Sequence, residues 1–353
     1  MKIHIFGFGN IGYAVADALS KLKYNFLIID KDPEKVKIAR KLGYEALKLD
    51  LLKSSISNVN FGATALPGPI AYEVVKKLLM SGINLADVSF YEGDIWELEN
   101  YISNNIYIPD AGFAPGITNV MVGYSYNIMG GLDSAYIYVG GLSYEPDDLL
   151  GLALTWSPVD LIDEYIREAS YIEDGKVKYV DPFARTGVID LDNLGKFEYF
   201  ITDGLRTLIN TFYGKVREMY EFTLRYPGHL EKMYFLRKLG ILTNLKSEFA
   251  NLLTKVIENK YRDRVIMYVK CCYEDKYVVS KLCMTYSEDK RLSAMAITTG
   301  YPLAVITSMI FDGIISGRGI YPPEYIGMNK DQFNEFMNRL EKLGIKIQVN
   351  LCL

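Results

Sequence analysis

Three groups of residues in this chain have the types and spacing to do chemistry. The first is Gly7, Gly9 and Gly12 in the run GFGNIG. In a G-x-G-x-x-G pattern the first glycine permits a tight turn and the second lets backbone approach a pyrophosphate. The third lets a helix pack closely on a strand. Asn10 and Ile11 lie between them at the expected helix start, where unpaired N–H groups and a partial positive charge favour phosphate. About 20 residues past the glycines, Asp30 ends a second apolar run, the position from which an acid meets ribose hydroxyls. A carboxylate there repels the extra phosphate of NADP, so the expected cofactor is NAD; the neighbouring Lys31 leaves NADP possible. The alternative is a helix-capping glycine loop with Asp30 as a turn residue.

The second group is Thr223-Leu224-Arg225-Tyr226-Pro227-Gly228-His229. An arginine at a strand end can grip a carboxylate through two parallel hydrogen bonds. His229, a short way along, could exchange a proton near neutral pH. The competing account is a structural ion pair for Arg225 and a polar first-turn role for His229. The third group is Asp110-Ala111-Gly112-Phe113-Ala114-Pro115-Gly116. Its glycines and proline bring backbone close to a ligand, and Asp110 could orient a cationic amine; a linker turn with a capping role explains the same residues. Arg206, in Asp203-Gly204-Leu205-Arg206, is a second carboxylate candidate, with a solvated helix charge as the plainer account.

These residues need elements to position them. Lys2 to Phe6 reads as a strand and Ile11 to Leu22 as a helix, followed by strands at Asn25–Ile29, Tyr44–Leu49, Phe61–Leu66, Ile83–Val88 and Ile106–Ile108. Helices are expected between them, one opening at Pro33 and one capped by Asp94. Such alternation predicts a mostly parallel, doubly wound α/β sheet, whose ligands gather at the C-terminal ends of its strands. Leu66 and Pro67, and Asp87 and Ser89, then fall on the cofactor side of that edge, with Phe90 on the substrate side. Asp87 could equally satisfy loop amides. After Gly116 the rhythm changes. Longer strands are expected at Ser134–Val139, Ala169–Val180, Lys196–Ile201, Lys215–Tyr226, Arg264–Tyr273 and Lys276–Tyr286, with a hairpin turn at Glu274-Asp275. Long strands in pairs suggest a mixed or antiparallel sheet in an inserted α+β substrate domain. The division expected is 1–115 with 296–353 for the Rossmann domain, completed by the C-terminal segment, and 116–295 for the substrate domain. Glu324, after two prolines, reads as a helix start, and Trp96 and Trp156 as core.

Composition narrows the classes. The 353 residues are enough for two domains, and half are hydrophobic. With 39 basic and 43 acidic residues the net charge is −4, which gives no reason to expect nucleic-acid binding. Four cysteines without metal or disulfide spacing, and only two histidines, predict no metal site and fit a reducing cytoplasm. No signal peptide is visible, and the apolar run around Pro302–Ile315 reads as too short and too polar to span a bilayer, so no membrane partner is expected.

The ordered motifs resemble the saccharopine dehydrogenase-like superfamily, most closely its L-lysine 6-dehydrogenase branch. They are GFGNIG with Asp30, ALPG (Ala65–Gly68), DVSF (Asp87–Phe90), DAGFAPGITN (Asp110–Asn119), VGGL (Val139–Leu142), TWSPVDLIDEY (Thr155–Tyr165), TDGLRTL (Thr202–Leu208), TLRYPGH and TTGYP (Thr298–Pro302). The resemblance implies hydride transfer between a nicotinamide and a carbon bearing an amine. It places the Asp110–Gly116 loop and Arg225 at the amino-acid substrate, with Arg225 on its α-carboxylate. Ala114, where saccharopine reductases carry an aspartate, and His229, where they tend to an apolar aromatic, both resemble the lysine dehydrogenases.

The expected activity is therefore NAD-dependent oxidative deamination of L-lysine at its ε-amine, with His229 or Asp110 as the base. One alternative is a saccharopine- or carboxynorspermidine-type reductase joining an amino acid and an aldehyde, for which Arg206 or Arg185 could supply a second carboxylate site. Another is a non-catalytic NAD-binding regulator. A small amino-acid substrate and a homodimer are the expected partners.

Overall fold

The computed structural model describes residues 1–54, 56–91, 93–145, 150–257, 262–288 and 292–352. They form two compact units, Met1–Val120 with Ala296–Ile345, and Met121–Met295 with Lys346–Leu353. The first holds the strands β1 (Ile3–Phe6), β2 (Phe26–Asp30), β3 (Ala46–Lys48), β4 (Phe61–Thr64), β5 (Asn84–Asp87) and β6 (Ile106–Ile108). Late in the chain, after the strands β7 to β14 of the other unit, it adds β15 (Gly319–Ile320). The sheet order is β15-β6-β5-β4-β1-β2-β3, with every pairing parallel. This is the doubly wound nucleotide-binding order, 3-2-1-4-5-6, with one strand added beside β6. The order reverses between β1 and β4, so the glycine turn after β1 lies at the switch point.

The strands of this sheet are nearly continuous apolar runs because helices cover both faces. β1 is buried at all four positions. On the helix Gly68–Met80, Val74, Val75, Leu78 and Leu79 face a core shared with Phe6, Leu85 and Tyr107. The helix Ala294–Phe311 packs its Gly300 against the helix Asn10–Lys21: a Cβ there would come within 2.7 Å of Ala14 Cβ and 2.9 Å of the Ile11 carbonyl oxygen. At 18 residues and a mean hydropathy of 1.5, that helix is long and apolar enough to cross a membrane, which corrects the shorter run expected from sequence. It is 89% buried in the fold, which accounts for its composition.

The second unit is one nine-stranded mixed sheet. Its strands are β7 (Ser134–Ser143), β8 (Ala169–Glu173), β9 (Lys176–Val180), β10 (Thr186–Asp190), β11 (Lys196–Ile201), β12 (Glu218–Arg225), β13 (Asp263–Tyr273), β14 (Lys276–Thr285) and β16 (Gln348–Cys352). The main path is β10-β11-β12-β7-β13-β14-β16, with β8 on β12 and β9 on β8. Among the described residues, only β12 and β7 run parallel in this sheet.

Three features differ from expectation. The C-terminal segment joins the first unit only through Ile345, and Lys346–Leu353 joins the second. Tyr277 to Lys281 of β14 offer an open edge, and β16 pairs with it from Cys352 to Gln348. The single strand expected over Ala169–Val180 is a hairpin, because Asp174 and Gly175 both take positive φ (54° and 72°) and turn the chain. Trp156, expected in the core, is 39% exposed.

Candidate active site

The nucleotide edge of the first unit is built from three loops at the C-terminal ends of β1, β4 and β5. Gly7 takes φ +97°, and a Cβ there would come within 2.6 Å of the Ala65 carbonyl oxygen. A Cβ on Gly12 would come within 2.0 Å of the Gly7 carbonyl oxygen, so this turn and helix close only around glycine. Gly9 is different, because nothing lies within 4 Å of a Cβ placed there. Its hydrogen serves no packing need of the protein, which is what an approach path for a pyrophosphate requires. The first helical bond is Tyr13 N–H to the Gly9 carbonyl at 2.9 Å, which leaves the N–H groups of Asn10, Ile11 and Gly12 ahead of the ladder.

Asp30 ends β2 beside this turn. It accepts from Phe8 N–H at 2.7 Å and from Asp32 N–H at 2.8 Å, so the carboxylate ties the glycine turn to the end of β2. Each oxygen retains a lone pair for a ribose hydroxyl. Lys31 is exposed. Asp87 is 1% exposed and accepts from Thr64 Oγ1 (2.6 Å), Ser89 N–H (2.9 Å) and Tyr107 Oη (3.1 Å). Burial raises its pKa against these donors. Ser89 Oγ accepts from Leu66 N–H at 3.2 Å, and a Cβ on Gly68 would come within 2.3 Å of the Phe90 carbonyl oxygen. Asp87 and Ser89 thus brace the loops that carry Leu66, Pro67 and Phe90, as the loop-amide alternative held. The residues of this edge fit a nicotinamide dinucleotide: an open backbone at Gly9, free N–H groups at the helix start, and an acid at the ribose position.

The Asp110–Gly116 segment belongs to this unit. Ala111 N–H donates to the Asp87 carbonyl at 2.8 Å, and Ile117 N–H to the Gly112 carbonyl at 2.9 Å. Gly116 takes φ +139°, and a Cβ there would come within 2.0 Å of the Gly112 carbonyl oxygen. Asp110 takes φ +54° and is 4% exposed. Asn119 Oδ1 accepts from Gly116 N–H at 3.0 Å, and its amide donates to Glu324 at 3.2 Å. Glu324 is fully buried, so it is more than the helix start read from sequence.

In the second unit the chemistry collects at the end of β12. Arg225 is fully buried. Its Nε donates to Tyr165 Oη at 2.8 Å, Nη1 to the Leu224 carbonyl at 2.9 Å, and Nη2 to Glu164 Oε2 at 2.7 Å. His229, 2% exposed, opens the helix His229–Lys238. Its Nδ1 lies 2.7 Å from the Leu150 carbonyl, an acceptor only, so Nδ1 carries the proton. Nε2, 2.7 Å from Tyr165 Oη, is then the acceptor, and the tyrosine donates. Burial, with the Arg225 charge beside it, holds His229 down at about 3.

This arrangement bears on two expectations. Arg225 is committed to Glu164, so the ion-pair account describes it and the carboxylate grip does not. His229 has its proton and its lone pair both engaged within the protein, as its polar first-turn role has it. Arg206 takes φ +50° ahead of the helix Thr207–Phe212. Arg185 is bound to Glu173 over the rings of Tyr171 and Tyr220. Sequence reasoning missed Glu164 and Tyr165; they stand only as the last two residues of the TWSPVDLIDEY motif, with no local pattern pointing to Arg225.

Residues 112–345 match the family model of the saccharopine dehydrogenase C-terminal domain, and residues 3–57 that of the TrkA-N domain. The chain belongs to the saccharopine dehydrogenase-like superfamily. This superfamily member is 25% identical over 210 residues to the mitochondrial alpha-aminoadipic semialdehyde synthase of Rattus norvegicus, and 25% over 208 residues to that of Bos taurus. Those stretches are 55% and 54% of this chain, and 22% of each relative's length. In fold it matches the apo saccharopine dehydrogenase (L-Glu forming) of Saccharomyces cerevisiae with a TM-score of 0.80, across 100% of both chains at 18% identity.

Proposed function

We propose that the chain catalyses NAD-dependent oxidative deamination of L-lysine at its ε-amine. The observation that carries the oxidoreductase reading is the nucleotide edge, with Gly9 open and Asp30 at the ribose position, on a chain whose residues 112–345 match the saccharopine dehydrogenase C-terminal domain. The relatives' name supports the substrate: alpha-aminoadipic semialdehyde is lysine with its terminal CH₂–NH₂ oxidised to an aldehyde. Ala114 and His229 support lysine itself over saccharopine.

In the reaction the ε-ammonium loses a proton, hydride leaves Cε, and water converts the resulting imine to aldehyde and ammonium. The nicotinamide, when bound, supplies the hydride acceptor. Gly7 and Gly12 let the turn and helix close and Gly9 leaves space for the pyrophosphate; the N–H groups of Asn10, Ile11 and Gly12 would face its charge, and Asp30 would take the ribose hydroxyls, favouring NAD over NADP. The test is absorbance at the reduced-nicotinamide band with the full chain, NAD and L-lysine. Reduction with lysine alone supports the reading. Silence with lysine, with NADH oxidised once an amino acid and a semialdehyde are both supplied, replaces it with a saccharopine-type reductase.

A further inference from the structure

One face of the mixed sheet is paved with aromatic rings. Tyr136 and Tyr138 of β7 pair in register with Tyr220 and Phe222 of β12, and Tyr138 pairs with Tyr268 of β13. Paired residues point to the same side of a sheet, and Tyr199 of β11, paired with Leu224, joins them. Around the Tyr138 ring lie Phe222, Tyr199 and Tyr268, at 5.1, 5.4 and 6.2 Å between centroids. Helices occupy the opposite face. There Phe200 shares a core with Leu161, Leu230 and Phe249 from three helices, and the Cys271 thiol meets Ser125 of the helix Ile117–Met129. The core on the tyrosine face, Leu142, Leu191, Phe197, Leu224 and Ile266, draws on no α-helix among the described residues. Tyr136, Tyr138, Tyr199 and Tyr268 stay half-buried. Among the described residues, no hydrogen bond engages the hydroxyls of Tyr138, Tyr199 and Tyr268. The second unit thus carries helices on one side of its sheet and bare rings on the other, the kind of patch that marks a contact surface.

We propose that this tyrosine face binds a second copy of the chain, sheet stacked on sheet about a two-fold axis that runs along β7. In such a contact the residues nearest the axis meet their own copies, so the centre must carry no charge. Tyr138 stands there, neutral and ringed by aromatics. The charges at the margins fit the same axis. Glu173 is met within the chain by Arg185 and Lys178, and Lys281 by Asp192. Lys270 of β13 is exposed, and among the described residues it has no ion-pair partner. It sits beside Tyr136, across β7 from Tyr220. Rotation about β7 therefore lays Lys270 over Tyr220 of the second copy. Glu218, about 7 Å further along β12, then comes within reach of its ammonium. Glu218 accepts from the Tyr136 hydroxyl, and its only other ion pair is the exposed Arg217 at 3.7 Å. Size agrees as well. The strands from β11 to β14 span about 19 Å, and the ten or eleven residues of β7 and β13 about 33 Å, which gives about 600 Å² in projection and more as accessible surface. A stable contact buries about 800 Å² per partner.

Sedimentation velocity of the full chain, from about 1 to about 100 µM, tests this. Wild type is expected to sediment as a dimer of the 40.1 kDa chain. Tyr138→Lys sets two cations against each other at the axis. Each copy contributes the change once, so about 10-fold per site becomes about 100-fold or more in the dissociation constant. Lys270→Glu should weaken the dimer by about 10-fold, and adding Glu218→Lys to the same chain should restore it. A wild type that stays monomeric across the range overturns the proposal, as does a folded Tyr138→Lys that dimerises like wild type. A monomer that floats with anionic phospholipid vesicles, and loses them in Tyr138→Glu, also overturns it and gives the face to a membrane. Should Tyr138→Lys fail to fold, nitration of wild type by excess tetranitromethane, read by mass spectrometry, decides. Tyr138, Tyr199 and Tyr268 should react about 5-fold or more slowly at about 100 µM than at about 1 µM chain, and equal rates overturn the proposal.

Discussion

Tyr165→Phe isolates one hydroxyl in the buried cluster. The ring stays, stacked on Phe200 with centroids 4.9 Å apart, so packing is nearly preserved. Two bonds go: Arg225 Nε to Tyr165 Oη at 2.8 Å, and Tyr165 Oη to His229 Nε2 at 2.7 Å. Each leaves a buried polar atom without that partner, at about 1–3 kcal/mol, with the guanidinium toward the upper end because it is charged. The sum is about 2–6 kcal/mol, or roughly 4–24 °C in the melting temperature of a unit of this size. Scanning calorimetry of the full chain, read on the transition of the second unit, measures it. Tyr165→Phe and His229→Leu should also be non-additive, with a coupling of about 1 kcal/mol or more. A loss below about 0.5 kcal/mol, or additive losses, would refute the hydrogen-bonded chain and with it the assignment of the His229 tautomer.

Other expectations test the nucleotide edge and the pH dependence. Gly9→Ala should fold as wild type, since its Cβ meets no atom within 4 Å, yet weaken NAD binding by about 10-fold or more in a fluorescence titration; equal affinity would place the pyrophosphate elsewhere. Gly12→Ala, with its Cβ 2.0 Å from the Gly7 carbonyl oxygen, should instead lower the melting temperature of the first unit. Asp30→Ser should improve NADP use relative to NAD in steady-state kinetics and, by losing the Phe8 contact, cost about 1 kcal/mol; an unchanged preference would assign cofactor choice to another residue. Burial lifts Asp263 to about 6, against the bonds it accepts from the backbone N–H groups of Ala294 and Met295. Between its usual value of about 3.8 and 6 the folded chain holds more protons at this site than the unfolded chain, so stability from this group falls as pH rises, by up to about 3 kcal/mol. Melting temperatures from pH 4 to 7 should show this decline in wild type and lack it in Asp263→Asn.

The nucleotide half of the molecule was legible because its determinants are local. Glycine spacing, an apolar strand and an acid at a fixed distance each act within one βαβ unit, and the all-parallel order followed. What sequence could not show was set by partners distant along the chain. β10 was missed because it contains Gly187, yet that glycine lies where a Cβ would come within 2.5 Å of Tyr199 Oη on the paired strand. The gap in the pattern is filled by a ring 12 positions on. β15 has two residues and exists only because β6 offers an edge. The tail was misplaced for the same reason, since nothing in Gln348–Cys352 names β14 as its neighbour. The Asp174-Gly175 turn was also missed, although an Asp-Gly pair is a local hairpin signal.

The substrate half shows why residue type alone misled. Arginine at a strand end suggested an anion receptor, but a guanidinium with no exposed surface carries a desolvation cost of several kcal/mol that must be met permanently, not only when a ligand arrives. Glu164 meets it at 2.7 Å, with Tyr165 and the Leu224 carbonyl taking further donors. A substrate carboxylate entering at Arg225 would have to expel Glu164 and leave that acid half-buried without its partner, exchanging one ion pair for another at a net loss. The pairing was hidden in the sequence because Arg225 and Glu164 stand 61 residues apart.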